Sequence, residues 1–165
     1  MMVAVMMAAV FSAAGCRSKP KVKSGDEKIG DTSVTGDQPL TTGARFEDTM
    51  ARVTDVTFDN VLFDYDSYQI KSSESAKVDK VAAYMKSNPN VRLVTEGNCD
   101  ERGTIEYNLA LGENRAAAVR AQLISLGISA ENIQTKSYGE EKPIEAGHSE
   151  TSWRVNRRTE FALYK

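Results

Sequence analysis

Three residues in the middle of the sequence, Asn108, Gly112 and Arg115, are separated by four, three and seven positions. On a helix of about 3.6 residues per turn that spacing puts all three on one face. Asp100 lies in the polar turn Glu96-Gly97-Asn98-Cys99-Asp100-Glu101-Arg102-Gly103 that feeds the same helix, and the turn can fold back over its first turns. A carboxylate suits an ammonium, and a guanidinium fork suits a carboxylate bidentately. Together, Asp100 and Arg115 fit a ligand that bears both groups on one carbon, such as a free amino-acid end. Two readings stay open at this point: a zwitterion pocket, or an ordinary Asp100–Arg115 salt bridge. Gly112 is open in the same way. A glycine inside a helix costs about 1 kcal/mol against alanine, so it marks either close approach to its backbone or close helix packing.

Other chemistry has less support. Cys99 could be a nucleophile only with a base to form its thiolate, and His148 sits in a polar loop far along the chain. Cys99 therefore reads as a small buried residue and Glu140-Glu141 as a solvated turn, and no enzymatic activity or cofactor is expected. Two cysteines and one histidine cannot supply the ligands of a structural zinc, and no metal site is expected. The 21 Lys+Arg against 23 Asp+Glu give a net charge of -2, the wrong sign for nucleic-acid binding. At 165 residues, 41% hydrophobic, with a mean hydropathy of -0.42, the chain has room for one core.

The elements that must position these residues follow from periodicity. Val56-Thr57-Phe58 and Val61-Leu62-Phe63 have strand density and end at Asp64-Tyr65-Asp66. Ser72 or Ser73 can cap a helix whose Val78, Val81, Ala82 and Met85 share a face, and Asn88-Pro89 stops it. A strand over Val91–Thr95 leads into the polar turn. Thr104 can cap a long helix with the buried stripe Ala116, Val119, Leu123 and Leu126, ended by Gly127. Ile133–Tyr138 reads as a strand, Ser149–Val155 as a short helix and Thr159–Tyr164 as a closing strand. The order β-α-β-α-β-α-β predicts an α/β two-layer sandwich, with helices packed on a sheet through crossover connections.

Upstream of this domain, MMVAVMMAAVFSAAGC is apolar but shorter than the roughly 20 residues that span a bilayer. Residues 1–15 read as a signal peptide, with Ala13-Ala14-Gly15-Cys16 resembling a bacterial lipobox and Cys16 as the lipidated residue. Lipidation of Cys16 would preclude a disulfide to Cys99. Arg17, where Asp would retain a lipoprotein at the inner membrane of well-studied Gram-negative bacteria, leaves the protein free to reach the outer membrane. Residues 16–50 hold six basic and six acidic residues and few large apolar ones, and read as a flexible tether. The compact domain is expected over 51–165.

TEGNCDERGTIEYNLALGENRAAAVRAQLISLG (95–127) and SYGEEKPIEAGHSETSWRVNRR (137–158), behind a lipobox and a tether, resemble the OmpA C-terminal-like family of peptidoglycan-associated lipoproteins. The likeness runs from about Val56 to Leu163. It implies noncovalent binding of peptidoglycan through the meso-diaminopimelate of the stem peptide. It further implies an outer-membrane lipid anchor, a domain in the periplasm, and a possible periplasmic propeller partner of the Tol system. By the same resemblance Asp100 takes the diaminopimelate ammonium and Arg115 its carboxylate. The loop Tyr65-Asp66-Ser67-Tyr68 covers the peptide, Asn108 and Leu109 orient the helix, and Arg157 stands near the rim. The sequence departs from the family at Asn98-Cys99, where relatives carry His-Thr, which bears on fine pocket geometry.

Overall fold

The computed structural model describes residues 44–165. The expected signal peptide, Cys16 and most of the expected tether lie outside them. Elements run α1 (Phe46–Thr49), β1 (Val61–Leu62), α2 (Ser72–Ser87), β2 (Arg92–Asn98), α3 (Ile105–Ser125), β3 (Ile133–Gly139), α4 (Glu150–Asn156) and β4 (Arg158–Tyr164). Sheet order is β1-β4-β2-β3. β2 and β3 are parallel, joined across α3, while β4 is antiparallel to β2 and to β1.

The alternation of helix and strand expected after residue 56 is the one observed. Val78, Val81, Ala82 and Met85 of α2 and Ala116, Val119 and Leu123 of α3 are buried. All of these except Ala116 meet Val61, Phe63, Leu93, Ile133 and Leu163 in one apolar cluster. Thr104 caps α3, accepting a bond from the Tyr107 N–H at 3.2 Å, and Ser149 caps α4. At α2 the cap is Lys71, without a side-chain bond, rather than Ser72 or Ser73. Glu74 in its first turn does the fixing instead, accepting from the Leu62 N–H at 2.8 Å and from Lys77 at 2.7 Å. One carboxylate thereby ties α2 to β1.

Three boundaries differ from the sequence reading. The strand expected over 56–63 is ladder-paired only at Val61–Leu62. Asp59 and Asn60 interrupt it, and Lys77 donates to the Asn60 carbonyl at 2.8 Å. Glu96, Gly97 and Asn98, expected in a turn, are ladder residues, because strands flank β2 on both sides and satisfy its backbone to the end. Lastly, α1 falls inside the stretch expected to be tether. Phe46 and Met50 cover Val94, Ala162 and Tyr164 on the sheet face away from α2 and α3. Gln134 exchanges bonds with the Phe46 N–H and the Ala44 carbonyl, both at 3.0 Å, and Lys136 pairs with Glu47 at 2.7 Å. The folded body therefore begins by Ala44.

Gly112 is explained by packing. A Cβ built on it would lie 2.3 Å from Ser137 Oγ and 3.0 Å from the Gly97 carbonyl oxygen, and one on Gly97 would lie 1.9 Å from the Gly112 carbonyl oxygen. Two facing glycines let α3 sit directly on the end of β2. That contact is what brings Arg115 beneath the polar turn.

Candidate functional site

β2 ends at Asn98, α3 begins at Ile105, and the loop after β1 folds over the gap between them. A cavity of about 150 Å³ opens there, lined by Tyr65, Asp66, Cys99, Asp100, Arg102, Gly103, Tyr107, Asn108, Leu111, Arg115 and Arg157. Its volume suits the end group of a ligand rather than a whole one.

Asp100 and Arg115 both line this cavity, and no salt bridge joins them. Arg115 is 1% exposed, the largest fully buried side chain of the described residues. Its Nε donates to the Ser67 carbonyl at 2.9 Å, Nη1 to the Asn98 carbonyl at 2.9 Å and to Cys99 Sγ at 3.3 Å, and Nη2 to the Asp64 carbonyl at 3.2 Å. Every partner is uncharged. Among the described residues no carboxylate pairs with this guanidinium, and burial lowers its pKa from the usual arginine value. A buried cation without a counter-ion is costly, and a ligand carboxylate entering the cavity would relieve that cost.

The partners of Asp100 are Arg102 and Arg157. Oδ1 accepts from the Arg102 N–H and Nε, each at 3.1 Å; Oδ2 accepts from Arg102 Nη2 at 2.7 Å and Arg157 Nη1 at 3.2 Å. Burial raises the carboxyl's pKa, but these donors outweigh it and hold Asp100 below its ordinary 3.8. Arg157, read from sequence as a rim residue, is buried. It also donates to the Phe63 carbonyl at 3.1 Å and to Glu150 at 2.5 Å, so it fastens β4 to the loop after β1.

The other expected residues divide. Asn108 is buried and donates to the Asp100 carbonyl at 3.3 Å and to Glu140 at 2.5 Å, holding the turn against α3. Tyr65 and Asp66 line the cavity. Asp66 adopts φ 53 and accepts the Tyr107 hydroxyl, while the Tyr65 ring lies 4.1 Å from the Arg102 guanidinium. Tyr68 and Leu109 do not line it. Tyr68 is exposed, and the Leu109 backbone packs where a Gly139 side chain would stand. Sequence reasoning missed Arg102, which stacks between Tyr65 and Trp153 with its carbon 4.0 Å from the Trp153 ring, and it missed Tyr107. The signals were there: Arg102 lies two residues past Asp100 in the same turn, and Tyr107 lies one position before Asn108.

Burial pushes the Cys99 thiol up to about 11, so it is protonated at neutral pH, and its sulfur faces the Asn108 carbonyl and Arg115. His148 bonds Glu101 at 2.5 Å on the surface and does not meet Cys99. Asn98 lends its carbonyl to Arg115 while its buried Oδ1 finds no partner.

A parallel β2-α3-β3 unit closed by an antiparallel β4, with this acid and arginine at the end of β2, defines a known class of α/β domain. The model of the OmpA family matches residues 62–157, more than half the chain, and the chain belongs to that family. Over its length it is 39% identical to the peptidoglycan-associated lipoprotein of Pseudomonas putida, across 96% of this chain and 93% of that protein. The crystal structure of the peptidoglycan-associated lipoprotein from Burkholderia pseudomallei matches with a TM-score of 0.62 at 45% identity, covering 63% of this chain and 88% of that one. The C-terminal domain of Helicobacter pylori MotB shares the fold at 23% identity, with a TM-score of 0.61 over 65% of this chain and 84% of that one.

Proposed function

We propose that this chain is a noncatalytic envelope lipoprotein that binds peptidoglycan and links the outer membrane to the cell wall, with Cys16 carrying the lipid and the domain in the periplasm. The recognised group is the diaminopimelate of the stem peptide. The observation that carries this reading is the buried Arg115 guanidinium, bonded only to uncharged acceptors and lining the same small cavity as the Asp100 carboxylate. A zwitterionic carbon end supplies the missing carboxylate to Arg115. Its ammonium shares Asp100 with Arg157 or displaces Arg102, the more exposed of the two arginines on that carboxylate. Tyr65 and Tyr107 stand at the mouth. The full-length likeness to proteins named peptidoglycan-associated lipoprotein supports the wall as the source of that end group. One site of this kind gives modest affinity, and many copies in one membrane facing one wall act multivalently.

The mouth itself favours a second role. Tyr65, Tyr68, Ile105 and Tyr107 are large, apolar and exposed in the loop after β1 and the first turn of α3. Such a surface suits a protein partner, which by family resemblance is the periplasmic propeller protein of a Tol system. Wall and partner would then compete, each weakening the other reciprocally.

The test is to mix the full chain with insoluble sacculi, spin, and repeat with free meso-diaminopimelate as competitor. Pelleting that the competitor abolishes supports the wall reading and its ligand. Absence of pelleting overturns it and leaves the protein-partner role.

A further inference from the structure

A carboxylate offers about four lone-pair sites, and the chain itself fills all four on Asp100. The Arg102 N–H and Nε take two on Oδ1, each at 3.1 Å, while Arg102 Nη2 at 2.7 Å and Arg157 Nη1 at 3.2 Å share Oδ2. An entering ammonium therefore needs a donor to leave. The backbone N–H belongs to the turn. Arg157 is 4% exposed and also holds the Phe63 carbonyl and Glu150, so its departure would unfasten β4 from the loop after β1. The Arg102 side chain is 28% exposed and, among the described residues, its guanidinium bonds no backbone carbonyl.

A second acceptor stands ready for it. Glu150 Oε2, on a side chain 63% exposed, lies 3.8 Å from Arg102 Nη2. The rings of Tyr65 and Trp153, with centroids 4.1 and 4.0 Å from the Arg102 guanidinium carbon, form a slot along which the guanidinium can slide toward Glu150. Trp153 is pinned by its own bond from Nε1 to Glu101 at 2.9 Å, and Glu101 also bonds His148. Of the other charges at the cavity, Asp66 accepts the Tyr107 hydroxyl and Arg115 is held by backbone carbonyls.

Resting on the zwitterion reading of this cavity, we propose that Arg102 is a built-in competitor for the ligand. In the free protein its guanidinium occupies the ammonium position on Asp100, and ligand binding drives it along the Tyr65–Trp153 slot onto Glu150. The buried carboxylate thus keeps its partners whether the site is empty or filled, which avoids the cost of an unpaired buried charge. Part of the energy of ammonium capture is consumed in the exchange, so Arg102 lowers the affinity that Asp100 and Arg115 would otherwise give.

Trp153 is the chain's one tryptophan and does not line the cavity, so its emission reports the move of Arg102 directly. The experiment titrates free meso-diaminopimelate into the full chain and reads calorimetry and tryptophan fluorescence together. In the wild type, emission should change in step with binding. Arg102→Gln should bind about tenfold tighter, with no change of emission on binding. Pimelate, the same carbon chain without its amino groups, should leave wild-type emission unchanged and gain no affinity in the variant. Glu150→Gln should weaken diaminopimelate binding in the wild-type background and not in Arg102→Gln, a difference that separates its part in the exchange from its bond to Arg157. Binding to the wild type with emission unchanged overturns the proposal while leaving the wall reading intact, since the ammonium then pairs without moving Arg102. Equal or weaker binding by Arg102→Gln also overturns it, because Arg102 is then part of the grip on the ligand. An emission change with pimelate, or a Glu150→Gln effect alike in both backgrounds, overturns the exchange as drawn. Failure of diaminopimelate to bind either protein removes the ligand reading and the proposal with it.

Discussion

The two ends of α3 obey different physics. Toward its C-terminus Val119 and Leu123 join an apolar cluster with Val61, Leu93 and Leu163, where stability comes from area removed from water and is insensitive to exact angles. Toward its N-terminus, Asn108 and Arg115 are just as buried, yet they are held mainly by directed polar bonds to the loop after β1, the end of β2 and the turn that follows it. An apolar core tolerates exchange of one hydrocarbon for another. A polar site that leaves a guanidinium without an anion keeps a demand that only a ligand can meet, and the stability it withholds from the free protein is available to binding.

Arg115→Ala should break that contrast most severely, because the same guanidinium holds three backbone carbonyls and lines the cavity. Three backbone carbonyls would lose a charged donor, at about 1.5–3 kcal/mol each, partly offset by relief of the buried charge. A net loss of about 4 kcal/mol in urea unfolding is expected, together with complete loss of sacculus pelleting. Arg115→Lys keeps a charge but not the fork, and should recover more stability than binding. A variant that unfolds normally while failing to pellet would show that the loop carbonyls do not depend on Arg115. Arg115 both lines the pocket and is buried, so its loss is expected in binding and in stability together.

Leu123→Ala sharpens the other side of the comparison. The residue is fully buried in the apolar cluster. Its truncation should cost about 2–5 kcal/mol in unfolding experiments. Below the transition, wall binding per folded molecule should match the wild type, since Leu123 does not line the cavity and Phe63 is the cluster residue that Arg115 and Arg157 touch. Weakened binding in fully folded protein would mean that the core tunes the site.

How much of this was legible in the sequence divides along the same line. Apolar periodicity located α2, α3 and their buried stripes, because the signal is repeated several times along each helix. Thr104 was legible as a cap since a cap acts within one turn. β1 was overread: Val56 and Phe58 do pack inward, yet strand pairing depends on a distant partner, and Asn60 gives its carbonyl to Lys77. Phe46 and Met50 looked like tether because their partners, Val94 and Tyr164, are remote in sequence. At the site, residue types and spacing identified Asp100, Asn108 and Arg115 as neighbours. They could not tell that Arg102 and Arg157, rather than Arg115, hold the carboxylate, as the place of Arg157 is set by where the last helix ends and β4 begins.

Asp100→Asn tests that choice at smaller cost. The folded carboxyl titrates below its ordinary 3.8, so ionised Asp100 adds stability at neutral pH that is lost as pH falls below that value. Stability of the wild type should therefore drop more steeply in this acid window than that of the Asn variant. At neutral pH, the variant should bind sacculi more weakly by about 2 kcal/mol, because Arg102 and Arg157 lose their anion and the ligand's ammonium loses its own. Identical acid limbs for the two proteins would assign the site's carboxylate chemistry to another residue.

Thr104→Ala carries the smallest effect and separates position from stability. The hydroxyl accepts only the Tyr107 N–H, so its loss should cost about 1 kcal/mol. Tyr107 and Asn108 follow within that first turn, and Tyr107 in turn holds Asp66 over the cavity. If the turn frays, the loop after β1 loosens, and binding should fall by more than the stability change accounts for at a temperature where the protein is fully folded. Arg115, two turns farther along and held by three carbonyls, should stay in place. Binding unchanged in this variant would locate the recognition energy wholly at Arg115 and Asp100, with the tyrosines at the mouth contributing nothing that depends on their alignment.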